Sequence, residues 1–189
     1  MIFGDASSFA IDSHIFTAFS RLSLRALGYF NIFIKGERYG VFRPDATFLA
    51  CSFDEVSDRL NRRGMHNGDM LRHLSASEIS IIFRKIHYTG LDEISDSERG
   101  ILNYSEVFYD FNLVWAPDGD AAFDDGSYII HIDQLDELDQ VRLIGFKSRE
   151  GVIHSLNEVF LINSYFYSVL EKWKDNFLIE WSRLPKSDE

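Results

Sequence analysis

The stretch "IIHID" at residues 129–133 sets an imidazole and a carboxylate two positions apart. Side chains alternate along an extended chain, so His131 and Asp133 share one face while Ile130 and Ile132 share the other. A His–Asp pair is the nucleus of general acid/base chemistry, but it works only with a reacting group in reach and a pocket to hold it. The remaining histidines, His14, His66, His73, His87 and His154, are scattered. None forms an H-E-x-x-H pair and none sits beside the single cysteine, Cys51. Walker A, G-x-G-x-x-G, G-x-S-x-G and zinc-finger spacings are all missing. The sequence therefore gives no positive reason to expect catalysis, a metal or a cofactor, and a small enzyme using His131 and Asp133 is the weakest of the readings open to it.

That pair lies inside a longer acidic run. Residues 118–139 read "DGDAAFDDGSYIIHIDQLDELD", eight carboxylates with no Lys or Arg among them. An EF-hand needs oxygen ligands at positions 1, 3 and 5 and Gly at 6. Counted from Asp118, position 5 is Ala122 and position 6 is Phe123, so the register fails. Asp118, Asp120, Asp124 and Asp125 fall in the loop before the His131 strand. Asp136, Glu137 and Asp139 fall in the connection after it. This region is either a solvated loop and hairpin or a surface aimed at a cationic partner, with the acids raising the association rate. Phe123 then either anchors the partner or folds inward.

The whole-chain totals agree with a cationic partner. Net charge is -11 over 189 residues. Residues 1–100 hold 12 Lys+Arg against 13 Asp+Glu, and residues 101–189 hold 7 against 17. Such a field repels phosphate backbones and anionic lipid, which disfavours nucleic acid and membranes as partners and favours a basic protein. Arg59, Arg62 and Arg63 share a helical face that could meet phosphate, although a solvated surface near Asp58 is the plainer expectation. One cysteine excludes an internal disulfide, and its apolar neighbours place Cys51 in the core. The N-terminus has no basic leader and no apolar run nears the ~18 residues needed to span a bilayer, so a cytoplasmic location is expected.

The elements that position these residues follow from periodicity. With 46% apolar residues and 17 Phe, residues 1–189 are expected to form one domain with a dense core. The first 50 residues read as strands, with Phe9, Ile11 and Ile15 on one and Phe30, Ile32 and Ile34 on the next, turning at Gly36–Glu37 into Tyr39 and Val41. Ser52 with Glu55, and Ser75 with Glu78, have capping-box spacing; the staples are Cys51 with Val56 and Leu74 with Ile79. Gly64 ends the first of these helices, and Ile79, Ile82, Phe83 and Ile86 stripe the second. Ser95, Glu98 and Gly100 suggest one further helical turn. Residues 106–115 alternate strictly and predict a strand, followed by strands in "SYIIHID", "QVRLIGF" and "EVFLI". Phe166, Val169, Leu170, Trp173, Phe177 and Trp181 stripe a closing helix capped by Asn163 or Ser164, with residues 184–189 fraying. The fold class is α+β: an antiparallel meander with helices inserted mid-chain and a long C-terminal helix packed on the sheet.

Three stretches carry a resemblance: "MIFGDASSFAI", "GYFNIFIKGERYG" and "SYFYSVLEKWKDNF". Together they resemble the immunity-protein 42 family of bacterial polymorphic-toxin and contact-dependent inhibition systems. The resemblance implies a cytosolic, non-catalytic antidote that binds the C-terminal effector domain of a secreted toxin, often a basic nuclease, and blocks it. The resemblance carries over no residue, and the toxin-binding candidates follow from charge alone: Asp118, Asp120, Asp124, Asp125, Asp136, Glu137 and Asp139, with Phe123 as the apolar residue among them. A non-catalytic adaptor with an unrelated partner fits the same composition.

Overall fold

The structure is a computed structural model describing residues 1–88, 100–101, 103–117, 121–134 and 139–187. The early strands form as their alternation requires. β1 (Ile2–Asp5), β2 (Phe9–Phe19), β3 (Ala26–Ile34) and β4 (Glu37–Tyr39) lie side by side and antiparallel. β5 (Thr47–Phe48) pairs with the other end of β3. Phe9, Ile11, Ile15, Phe30, Ile32, Ile34 and Tyr39 all point into the core. The β3–β4 turn has Lys35 and Gly36 at its tip, with φ of 50° and 82°, in place of the expected Gly36–Glu37. Two positive φ angles match the twist of the flanking strands. They also keep Glu37 in the ladder opposite Ile34, from where it reaches Lys147 at 3.2 Å.

A second antiparallel sheet follows later in the chain, so the expected single meander is divided in two. It contains β6 (Val114–Ala116), β7 (Ser127–Gln134), β8 (Gln140–Arg149) and β9 (Val152–Ile162), in that order. β7 shows the pleat clearly. Ile129 joins the core between the sheets, whereas Ile130 and Ile132 join a second core on the opposite side. β10 (Lys186–Ser187) runs parallel to the end of β2, so these residues pair where fraying was expected.

Four α-helices are described. α1 (Leu49–Asn61) begins earlier than its apparent capping box: Phe48 is the N-cap and Ser52 is a buried residue within the helix. Leu49, Phe53 and Val56 make the inward stripe, and that phase turns Cys51 to solvent, against the expectation of a core cysteine. α2 (Ala76–Tyr88) does carry its capping box. The Ser75 amide donates to Glu78 Oε2 at 2.7 Å and the Glu78 amide to Ser75 Oγ at 3.3 Å.

α3 (Asn103–Asp110) occupies the first half of the segment whose alternation predicted a strand. Tyr104, Val107, Phe108 and Phe111 also fit helical spacing, and packing selects it. Val107 and Phe108 are buried against α2 and β7, while Tyr109, which a strand would have buried with Val107, is 52% exposed. Only Val114–Ala116 keeps the extended form. α4 (Asn163–Arg183) buries Phe166, Val169, Leu170, Trp173 and Phe177 against both sheets and α1. Its N-cap is Ile162 rather than Asn163 or Ser164, and Asn163 instead accepts a bond from Arg63 Nε at 3.0 Å. No helix among the described residues is long and apolar enough to cross a membrane.

Candidate functional site

His131 and Asp133 come together as alternation required, but at the bottom of a sealed polar cluster. His131 Nε2 lies 3.2 Å from Asp133 Oδ1, and its Nδ1 lies 2.9 Å from Arg59 Nη1. A guanidinium only donates, so Nδ1 accepts and the proton sits on Nε2, pointing at the carboxylate. Asp133 further accepts the Tyr167 hydroxyl at 3.0 Å and the backbone amides of Gly64 and His66 at 2.8 and 3.2 Å. Arg59 is fully buried: it pairs with Glu55 at 2.7 Å, donates to Val114 O at 2.8 Å and lies over the Trp115 ring. The solvated arginine face expected on α1 is therefore wrong at Arg59, whose charge is consumed by the core. Arg62 stays near the surface beside Asp58, and Arg63 lies over the Tyr167 ring.

Burial sets the charges here. It drives His131 down to about 4, with the Arg59 charge adding to the shift despite the Asp133 hydrogen bond. It drives His66 down to about 3, helped by His131 and Arg59, so both rings are neutral at pH 7. Burial pushes Asp133 up, but the hydrogen bonds it accepts, from His131 first and then from the Tyr167 hydroxyl, outweigh it and hold the carboxyl below its ordinary value. His131 is 0% exposed and Asp133 2% exposed. The acid/base reading of His131 and Asp133 fails for want of access. The pair instead ties α1, β7 and α4 together.

The acidic run splits on inspection. Asp118, Asp120, Asp136 and Glu137 lie outside the described residues. Asp124 and Asp139 are exposed. Asp125 accepts from the Ser127 amide at 3.2 Å and pairs with Lys147 at 3.6 Å, so it is partly engaged in structure. Phe123 is 3% exposed and packs edge-on against Phe30, which places it in the core and removes it as a surface anchor. Of the 19 Lys+Arg and 30 Asp+Glu in the chain, the described residues carry 18 and 20. Nearly all the net negative charge therefore falls on the segments outside them.

A different surface feature went unread in the sequence. The outer face of the first sheet is aromatic and carries no helix among the described residues. His14 and Tyr29 are a cross-strand pair, Phe16 stands edge-on 4.6 Å from His14, and Phe42 stands edge-on 4.8 Å from Tyr29. Arg38 stacks over Phe42 at 4.6 Å. Phe16, Phe42 and Phe48 are 49%, 52% and 42% exposed. Phe16, Tyr29, Phe42, Arg43 and Pro44 line a cleft of about 200 Å³. The signal was present in "FAIDSHIFTAF" and "ALGYFNIFI", where apolar residues fill both alternation sets although burial of one face needs only one.

The family model for immunity protein 42 matches residues 1–176. The chain belongs to the immunity protein 42 family. The match takes in both sheets except β10, most of α4, the whole sealed cluster and the aromatic face. A search of curated proteins found no match. Among solved structures, the crystal structure of CdiI from Burkholderia dolosa AUO158 is similar, with a TM-score of 0.61 and 20% identity, covering 93% of this chain and 99% of that one. At that identity the likeness is one of fold. In this immunity protein 42 member α4 lies against both sheets.

Proposed function

We propose that this protein neutralises a cognate toxin by binding its effector domain one to one and covering the surface that does the damage. The observation that carries this reading is where the chemistry lies. Among the described residues, the His131–Asp133 pair that could have supported acid/base chemistry is locked in the interior with His66 and Tyr167, while aromatic and acidic groups are presented outward. Membership of the immunity protein 42 family supports the same reading. The chain acts in the cytoplasm, where an incoming toxin meets its target. A net charge of -11 suits a basic opponent, and a nuclease, which must itself attract a polyanion, is the class of toxin that fits.

The test is co-expression with the toxin domain encoded beside this gene. Survival of the host and recovery of an equimolar complex are expected. Cell death at equal expression, or survival without a complex, overturns the proposal.

A further inference from the structure

We propose that two copies of this chain pair edge to edge along β9, joining their second sheets into one continuous sheet across a two-fold axis. The inference stands on backbone geometry and not on the neutralising function. Along a strand edge alternate residues point their amides and carbonyls outward, and a row of such groups is satisfied by another extended backbone. Folded proteins blunt these edges, most simply by keeping them short. This one does so at β1, β4, β5, β6 and β10, which are 4, 3, 2, 3 and 2 residues long. β9 runs for 11 residues and, among the described residues, its backbone bonds to no element but β8. It holds no Pro, Lys or Arg and a single charge, Glu158, which Arg142 neutralises at 2.6 Å. One bulge interrupts it: Ser155 lies opposite Lys147 and Ile153 opposite Ser148, so His154 is the extra residue. Residues 155–162 remain as a regular edge.

The side chains along that run favour a second copy as the occupant. Alternation sends Val159 and Leu161 into the core between the sheets, and Leu156, Glu158, Phe160 and Ile162 to the opposite side. There Phe160 is 47% exposed and Ile162 62% exposed. A two-fold axis normal to the sheet at Val159 sets Ile162 opposite Leu156 of the second copy, Phe160 opposite its Glu158, and Val159 opposite itself. Each open Ile162 gains an apolar cross-strand neighbour, and each Phe160 gains a carboxylate already paired with its own Arg142. No two like charges face each other. The axis also keeps the two faces of the sheet in register, so α2 of both copies lies on one side and the first sheets lie on the other.

The experiment is sedimentation of the intact protein with a reductant present, because Cys51 is exposed and a disulfide between copies would mimic the pairing. At roughly 100 µM chain and about 0.15 M salt a species of twice the chain mass is expected. Amide exchange over residues 155–162 is expected to be slower there than at roughly 1 µM. Added salt is expected to strengthen the dimer, since it screens the repulsion between two chains of net charge -11. Phe160→Glu and Ile162→Glu together set carboxylates against Glu158 and Leu156 of the other copy. They are expected to weaken the dimer on the order of 100-fold, each change acting twice across the axis. Ile179→Glu on the exposed side of α4 is the control and leaves it unchanged. All three residues are exposed, so melting temperatures within a few degrees of the parent are expected. A parent that stays monomeric, a dimer untouched by the double variant, or a dimer whose residues 155–162 exchange as fast as in the monomer overturns the proposal. A monomeric parent whose toxin binding the double variant abolishes also overturns it, and assigns the edge to a strand of the toxin domain.

Discussion

The Arg59 guanidinium lies 2.9 Å from Nδ1 of His131, and neither side chain touches solvent. A permanent cation against an imidazole nitrogen fixes that ring as a neutral acceptor. Protonation would set two positive charges in contact within the core.

A pH dependence of stability follows. The folded pKa values of His131 and His66, about 4 and about 3, lie below the ordinary 6.5. Between those limits the unfolded chain binds protons that the folded chain refuses, so stability is full above pH 7 and falls as pH drops. The two rings together are expected to remove on the order of 3 kcal/mol between pH 7 and pH 5. Urea denaturation at half-unit pH steps checks this. A flat profile over that interval would mean that both rings are charged, or exposed, in the folded state.

Tyr167→Phe deletes the hydroxyl that Asp133 accepts at 3.0 Å while leaving the ring in place. Asp133 keeps the His131 and backbone donors, so the loss is expected to be about 1 to 2 kcal/mol. Binding of the toxin domain is expected to be unchanged, because the residue is buried. Chemical denaturation alongside a binding titration separates the two effects.

Gly145 is crossed by Tyr39, whose hydroxyl donates to the Gly145 carbonyl at 3.0 Å. An added Cβ would stand 2.7 Å from the Tyr39 ring and 2.8 Å from Ile34 Cδ1. Gly145→Ala is therefore expected to cost about 2 to 3 kcal/mol by forcing the two sheets apart. A melting temperature within 2 °C of the parent would show that the contact yields more readily than its geometry suggests.

Charge reversal at Asp124 with Asp136 and Glu137 is expected to slow association with the toxin domain about 10-fold at low ionic strength and to leave dissociation nearly unchanged. Asp125 is left in place because Lys147 and the Ser127 amide use it. Stopped-flow rates at two salt concentrations decide the matter. A rate indifferent to both salt and substitution would remove electrostatics from recognition.

The sequence showed most of the fold wherever one periodicity stood alone. The Ser75–Glu78 capping box and the stripe of α4 each had a single consistent pattern. It misled where two periods coincided, as at Val107 and Phe108, because the second core that chooses between them is assembled from α2 and β7. Arg59 could not be recognised as a core residue from α1 alone, since its acceptors, Val114 O and His131 Nδ1, are more than 50 residues away. The acids were conspicuous as letters, whereas the outward rings of Phe16 and Phe42 looked like ordinary strand-core residues.

Asp133 has partners from two distant segments, the turn at Gly64–His66 and Tyr167 on α4, besides His131 on its own strand. A chain emerging from the ribosome would carry this carboxylate through more than 30 further residues before its hydroxyl partner appeared. Closing this buried cluster is thus a long-range event that needs α4 in place.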